Sequence, residues 1–315
     1  MESVLIADPN SGAWKFAQTI HEKIRKKGTD LLLYKAEITK FSDGESYVQI
    51  MGNVRRKRCY FIHDSSKNPN DWLVDLMLVN DALKRASADT VVDILPYMKY
   101  SRQDRKDKSR VPISARVIAD SIGYRADKVI TTDLHADAIQ GFYNKPFDNL
   151  HSFATVVDYL KKVHPEFLDN SVIVSPDVGG VARARAFAKR LNKEIAIIDK
   201  RREKAGEVAE MRIIGDISGK NVIIVDDIID SGGTLIEASK ALKKNGAVKV
   251  FACCTHAILS KNAVEKVPKH FDRVLITDTI PHDNLDGIEC ISLTDLYAEA
   301  IYRTDQGLSI SELFE

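Results

Sequence analysis

The stretch "VDDIIDSGGT", Val225 to Thr234, gathers the residue types that hold a phosphorylated sugar. It follows the apolar run "NVIIV" and precedes "LIEASKALKKNG", which has the spacing of a helix. Asp226 and Asp227 can accept hydrogen bonds from adjacent sugar hydroxyls, directly or through a metal. Asp230 and Ser231 lead into Gly232 and Gly233, which permit backbone geometry that other residues resist. Successive N–H groups at a helix start form a nest for an anion. Ser231 and Thr234 add hydroxyl donors. The pattern lacks the G-x-x-x-x-G-K of a Walker A loop and the G-x-G-x-x-G of a dinucleotide turn. An ordinary glycine turn is the plain alternative, but it leaves the coincidence of acids, hydroxyls and glycines unexplained.

Other stretches carry charge in useful places. Lys99, Arg102, Arg105, Lys106, Lys108 and Arg110 crowd one segment, opposed only by Asp104 and Asp107. This block reads as a solvated loop, a nucleic-acid patch or a polyphosphate site. "DKRREK" places Lys200, Arg201, Arg202 and Lys204 after the apolar run "EIAIID". His135 follows "KVITTD". Asp8, Asp133, Asp177, Asp199, Asp226 and Asp278 each come at the end of an apolar run. Ligands of open parallel sheets bind at the carboxyl ends of strands. Each acid taken singly is equally a cap for the helix that follows.

The elements that position these residues are legible as rhythm. "SVLIAD", "RCYFIH", "TVVDILPY", "KVITTD", "SVIVSPD", "EIAIID", "NVIIVDD", "KVFACC" and "RVLITD" are short, β-branched and continuously apolar. That is the signature of parallel strands buried on both faces. Helix-like segments lie between many of them: "VDLMLVNDALKRAS", "SARVIADSIG", "VARARAFAKRLN" and "LIEASKALKKNG". Strand and helix alternate, so the class is α/β with mainly parallel sheets flanked by helices. The expected domains are 1–150 and 151–304, with the tail 305–315 packed on the first. The boundary is expected near "FDNLHSFAT".

Bulk properties narrow the partners. Across 315 residues, 46 Lys and Arg face 45 Asp and Glu, for a net charge of +1. Nothing global points to nucleic acid or membrane. The four cysteines form no CxxC pair, which argues for reduced thiols in a cytoplasm. The start "MESVLIADPNSG" shows neither a basic n-region nor a long apolar stretch, so no signal peptide is expected.

"VDDIIDSGGT" resembles the ribose-phosphate loop of the type I phosphoribosyltransferase fold. Transferases that consume phosphoribosyl pyrophosphate share that loop with the synthetase that makes it. "FSDGES", "PYMKYSRQDRKDKSRVPISA", "DLHADAIQGFY", "SPDVGGVARARAFAKRL", "DKRREKAGEV" and the tail "AEAIYRTDQGLSISELFE" resemble the signatures of ribose-phosphate diphosphokinase. The resemblance implies two tandem phosphoribosyltransferase-like domains. It also implies transfer of the pyrophosphoryl group of ATP to the anomeric hydroxyl of ribose 5-phosphate, for nucleotide biosynthesis.

Residue by residue, the resemblance implies an ATP site of Arg102, Gln103 and His135, with Phe41, Asp43, Gly44 and Glu45 contributed by a neighbouring subunit. It implies a ribose-5-phosphate site of Arg202, Asp226, Asp227, Asp230, Ser231, Gly232, Gly233 and Thr234. Lys200 and Arg202 match the catalytic cations, and His135 and Asp177 match the ligands of Mg2+. Imidazole is an unusual magnesium ligand, so Asp177 is the stronger of the two. Regulation by phosphate as activator and ADP as inhibitor maps to Arg55, Ser109, Arg110, Gln140, Asn149, Ser309 and Ser311. A homohexamer built from dimers is implied too. The sequence departs from the family's pattern at Trp72, Asp137, Gly206 and Ser231. The alternatives are a phosphoribosyltransferase and a catalytically silent regulatory relative.

Overall fold

A computed structural model describes residues 2–201 and 210–313, without the side chains of Lys200, Arg201 and Glu210. The chain forms two compact units. One holds residues 1–151, 279–282 and 293–315; the other holds 152–278 and 283–292.

The first unit runs β1 (Ser3–Ala7), α1 (Ala13–Lys26), β2 (Leu32–Lys40), β3 (Ser46–Met51), β4 (Arg58–Ile62), α2 (Pro69–Arg85), β5 (Thr90–Leu95), α3 (Ser114–Gly123), β6 (Lys128–Thr132) and β7 (Phe147–Leu150). Its sheet has the order β3-β2-β1-β4-β5-β6-β7. The second unit runs α4 (Phe153–Val163), α5 (Pro165–Leu168), β8 (Ser171–Ser175), α6 (Val181–Leu191), β9 (Ile195–Arg201), β10 (Glu210–Ile214), β11 (Asn221–Ile229), α7 (Gly233–Lys244), β12 (Val250–Ala257), α8 (Ala263–Lys266), β13 (Arg273–Thr277) and β14 (Glu289–Ile291). Its sheet repeats the same order, β10-β9-β8-β11-β12-β13-β14. The last helix, α9 (Thr294–Gln306), belongs to the first unit.

Each continuously apolar run is a strand with at least one parallel neighbour, in sheets with helices on both faces. In the first unit, one face of the sheet packs Phe61, Val91 and Val129 against Leu76, Leu83 and Ile118 of α2 and α3. The other packs Leu5, Tyr60 and Ile94 against Ile20 and Ile24 of α1 and Tyr297 and Ile301 of α9. In the second unit, α7 covers one face and α4 and α6 the other.

Two features depart from the sequence reading. Each sheet carries an antiparallel edge, β2 with β3 and β9 with β10. β2, β3 and β10 are largely half buried or exposed and partly polar, so the apolar runs revealed only β9 of these four strands. The second departure is the end of the second domain. The chain returns to the first unit at Leu293 rather than 304, because α9 is amphipathic and buries Tyr297, Ala298 and Ile301 there. Its anchors are specific: Tyr297 meets the Thr132 hydroxyl, and Arg58 Nη1 donates to the Asp305 carbonyl at 2.9 Å.

Trp72 is a core residue. It is fully buried on α2, its ring stacks on His63, and its carbonyl oxygen lies 2.7 Å from His63 Nε2. Burial lowers the His63 pKa to about 4, so the imidazole is neutral. No helix among the described residues is long and apolar enough to cross a membrane.

Candidate active site

The strand expected to end at Val225 continues to Ile229. β12 is long enough to carry it, pairing Ile228 with His256 and Ile229 with Ala257. β8 stops earlier, with Val174 opposite Ile224. The strand therefore overruns one neighbour, and Asp226 and Asp227 sit on the overrun. Asp227 is 3% exposed. Its backbone N–H donates to Asp226 Oδ1 at 2.9 Å. Burial and the adjacent Asp227 carboxylate push the Asp226 carboxyl well above its ordinary range, while Arg183 opposes that shift.

Arg183 is the residue that motif reading missed. Its Nη1 lies 3.2 Å from Asp227 Oδ1 and 3.7 Å from Asp226 Oδ1. It sits in the first turn of α6, where a cation opposes the helix dipole. An arginine in that unfavourable place is a sequence signal that a carboxylate waits nearby.

Beyond the acids, Asp230 and Ser231 lead to Gly232, which caps α7 with φ 74°. A Cβ at Gly232 would fall 2.3 Å from Val267 Cγ2, so only glycine fits. Gly233 is different: a Cβ there meets nothing nearer than Ser231 Oγ at 4.0 Å. Packing does not require that glycine, and its effect is to leave the backbone approachable. No side chain caps α7. The Ile236 N–H bonds back to Gly232 at 2.9 Å, so the N–H groups ahead of it point out of the helix. The result is an acid pair with hydroxyl-binding capacity, followed by an anion-binding helix start.

Asp177 is tied to the start of α6: its Oδ1 accepts the Gly180 N–H at 2.9 Å. Asp8 likewise accepts the Asn10 N–H at 3.0 Å. Asp133 lies 3.3 Å from His151 Nδ1. Of the strand-end acids, Asp8 and Asp177 thus serve as loop caps, while Asp226 stands beside Asp227. His135 is exposed on the loop after β6. Among the described residues no group of three His, Cys, Asp or Glu is arranged to hold a metal. The donors present fit a magnesium ion that arrives with phosphates and keeps oxygen and water ligands, rather than a protein cage.

The basic block forms the loop between β5 and α3. Arg102 is exposed on it. Gln103 anchors the loop to α3, its Oε1 accepting the Ser114 hydroxyl at 2.6 Å. "FSDGES" is the turn between β2 and β3: Phe41 N–H donates to the Glu45 carbonyl at 2.8 Å, and Asp43 Oδ1 accepts the Glu45 N–H at 3.1 Å. Gly44 has φ 95°. The Phe41 ring is 56% exposed, with only an edge contact to Tyr47.

Lys200 lies on β9 opposite Met211; its side chain, and all of Arg202, lie outside the described residues. Of the expected regulatory residues, Asn149 is 2% exposed and shares the partner Asp137 with Gln140. Its Oδ1 accepts the Leu134 N–H at 3.1 Å and its Nδ2 donates to Asp137 Oδ1 at 3.0 Å. Gln140 donates to the Asp137 carbonyl at 3.1 Å. Ser309 and Ser311 share a turn, their hydroxyls 3.0 Å apart. No hydrogen bond or ion pair among the described residues ties Arg55, Ser109 or Arg110 to either group.

A groove of about 740 Å³ lies elsewhere, at the amino ends of β11, β12 and β13, lined by Asn221, Lys249 and Arg273. It is at the opposite end of those strands from Ile229 and the glycine loop.

Comparison with known proteins gives a consistent result. Residues 10–124 match the N-terminal domain of ribose phosphate pyrophosphokinase, and 202–315 match the phosphoribosyl synthetase-associated domain. The ribose-phosphate pyrophosphokinase of Campylobacter jejuni is 47% identical over 291 residues, covering 91% of this chain and 93% of that one. That of Chlorobaculum tepidum is 44% identical, covering 91% and 89%. The crystal structure of phosphoribosylpyrophosphate synthetase from Mycobacterium smegmatis superposes with a TM-score of 0.87 at 30% identity, covering 98% of this chain and 100% of that one.

Proposed function

The chain belongs to the ribose-phosphate pyrophosphokinase family, and from that premise we propose how its residues share the reaction. The enzyme is a transferase that moves the pyrophosphoryl group of ATP to ribose 5-phosphate. The products are 5-phosphoribosyl 1-diphosphate and AMP.

Asp226 and Asp227 accept hydrogen bonds from the ribose hydroxyls, displacing part of their pairing with Arg183. The 5-phosphate sits on Asp230 to Thr234, at the uncapped start of α7. Arg102, Gln103 and His135 hold ATP, and Phe41, Asp43, Gly44 and Glu45 of a neighbouring copy enclose its base. The anomeric hydroxyl attacks the β-phosphorus. The bond from that phosphorus to the α-phosphate oxygen breaks, and AMP leaves with the electron pair. Lys200 and Arg202 meet the charge that develops on the transferring oxygens. Such chemistry depends on alignment and charge neutralisation, not on a covalent intermediate. Asp177, then His135, would hold a magnesium ion arriving with the triphosphate, which would supply charge neutralisation there.

The observation that carries this reading is the strand overrun with its acid pair followed by an uncapped, glycine-led helix. The test is AMP release from ATP with and without ribose 5-phosphate. Wild type should release AMP only with the sugar. Lys200→Ala should be slower by about 10²–10³-fold with its fold intact. Near-normal turnover in that variant would end the role given to Lys200.

The same reading includes phosphate activation and ADP inhibition through Arg55, Ser109, Arg110, Gln140, Asn149, Ser309 and Ser311. An activity curve flat from phosphate-free to phosphate-rich buffer would remove that part. It also includes a homohexamer built from dimers, in the cytoplasm. The exposed Val74, Met77 and Leu78 on α2 offer an apolar face for a second copy, and sedimentation as a monomer would exclude it.

A further inference from the structure

Lys99 lies just beyond β5, at the carboxyl edge of the first sheet. It is 8% exposed. Its ammonium lies 5.2 Å from the centroid of the Tyr97 ring. Burial lowers its pKa to about 8, and Asp64 opposes that shift. Neither neighbour accepts a hydrogen bond from it. The Asp64 carboxylate is committed to Ser66: Oδ1 accepts the backbone N–H at 2.9 Å and the hydroxyl at 2.8 Å, and Oδ2 lies 2.9 Å from the same hydroxyl. The Ser65 hydroxyl accepts the Tyr97 N–H at 3.1 Å. Among the described residues, Lys99 has the aromatic ring and the more distant Asp64 charge, and it donates no hydrogen bond.

A buried ammonium with unspent donors is costly, and such groups persist where a ligand completes them. The surroundings point to the ligand's charge. Lys99 follows β5, one strand over from the reversal of strand order between β1 and β4, and the charge of Asp64 on the loop after β4 acts on it. Such a reversal is where open α/β sheets bind ligands. The loop from β1 comes close to Asp64: a Cβ on Gly12 would lie 3.7 Å from Asp64 Oδ1, with Pro281 packed nearer still. The acids nearby are already engaged, Asp64 by Ser66 and Asp8 by Asn10 and Lys67. Arg102 follows three residues on, across a turn in which Tyr100 takes φ 64°.

We propose that Lys99 is a further binding cation for the ATP polyphosphate, contacting a phosphate oxygen that Arg102 alone does not satisfy. This rests on the pyrophosphokinase reading for the identity of the anion. The test is calorimetric titration of the full chain with ATP, tripolyphosphate and adenosine, for wild type, Lys99→Met and Lys99→Arg. Lys99→Met should weaken ATP and tripolyphosphate on the order of tenfold and leave adenosine unchanged. Lys99→Arg should keep most of the affinity. The thermal midpoint of Lys99→Met should equal or exceed that of wild type, since a buried charge is gone. Unchanged ATP and tripolyphosphate binding in Lys99→Met would overturn the proposal. A lowered midpoint with ATP and adenosine weakened together would overturn it too, marking Lys99 as structural. Sugar-dependent AMP release by wild type is measured alongside. Its absence, with binding through Lys99 intact, would end the pyrophosphokinase reading and leave the Lys99 site standing.

Discussion

The two sheets share one strand order, so the loop after β11 and the loop after β4 occupy the same place in the topology. They are built for opposite ends. After β11, α7 begins at a left-handed glycine with no side-chain cap, and its first N–H groups point out of the helix. After β4, α2 begins at Asn68, whose side chain accepts the Asn70 N–H at 3.0 Å, with Pro69 next. Lys67 fills the space ahead of it, 2.7 Å from Asp75 and 3.7 Å from Asp8. One loop keeps its helix start open and its acids buried; the other satisfies both internally. The topology supplies the position, and the loop residues decide whether anything can bind there.

The largest test of that contrast is Gly232→Ala. The added Cβ collides with Val267, and the left-handed backbone is strained by roughly 1–3 kcal/mol. Ribose-5-phosphate binding should fall by about 10²-fold, read by the KM for the sugar. A variant with normal KM would mean that the loop does not hold the phosphate.

A second contrast concerns the buried titratable groups on the strands next to these loops. Asp93 on β5 is fully buried, its Oδ2 accepting from Asn80 at 2.8 Å. Burial raises its pKa to about 7. Cys253 on β12, facing the opposite helix layer of its own sheet, is pushed far above its ordinary value by burial. A raised carboxyl pKa stabilises the fold fully below the ordinary value near 4, and that contribution is lost as pH rises toward 7. Stability of the first unit should therefore drop by roughly 2–4 kcal/mol between pH 4 and pH 7 from this group. The second unit has no matching loss from Cys253. Asp93→Asn should flatten that slope in urea melts followed by Trp72 fluorescence. An unchanged slope would place the proton elsewhere.

The smallest effect is at the closed loop. Asn68→Ala should destabilise α2 by about 1 kcal/mol and leave the KM for ribose 5-phosphate alone. A raised KM would show that the closed loop also serves the sugar.

Sequence by itself set the order of acids, hydroxyls and glycines from Asp226 to Thr234 and the mainly parallel, two-faced burial of the strands. α3 spans Ser114–Gly123, the segment its periodicity marks, and Gly246 follows α7 with φ 91°, as a glycine stop should. Tertiary structure decided the rest. The edge strands β3 and β10 are held by neighbours across the sheet, and a half-polar run carries no record of that partner. α9 crosses back because its apolar stripe matches α1, a fit between segments some 270 residues apart. Arg183 and Lys99 looked like members of charged runs. Only folding brought one onto two carboxylates and buried the other against a ring, because local pattern records how much a residue is hidden and not what it is hidden against.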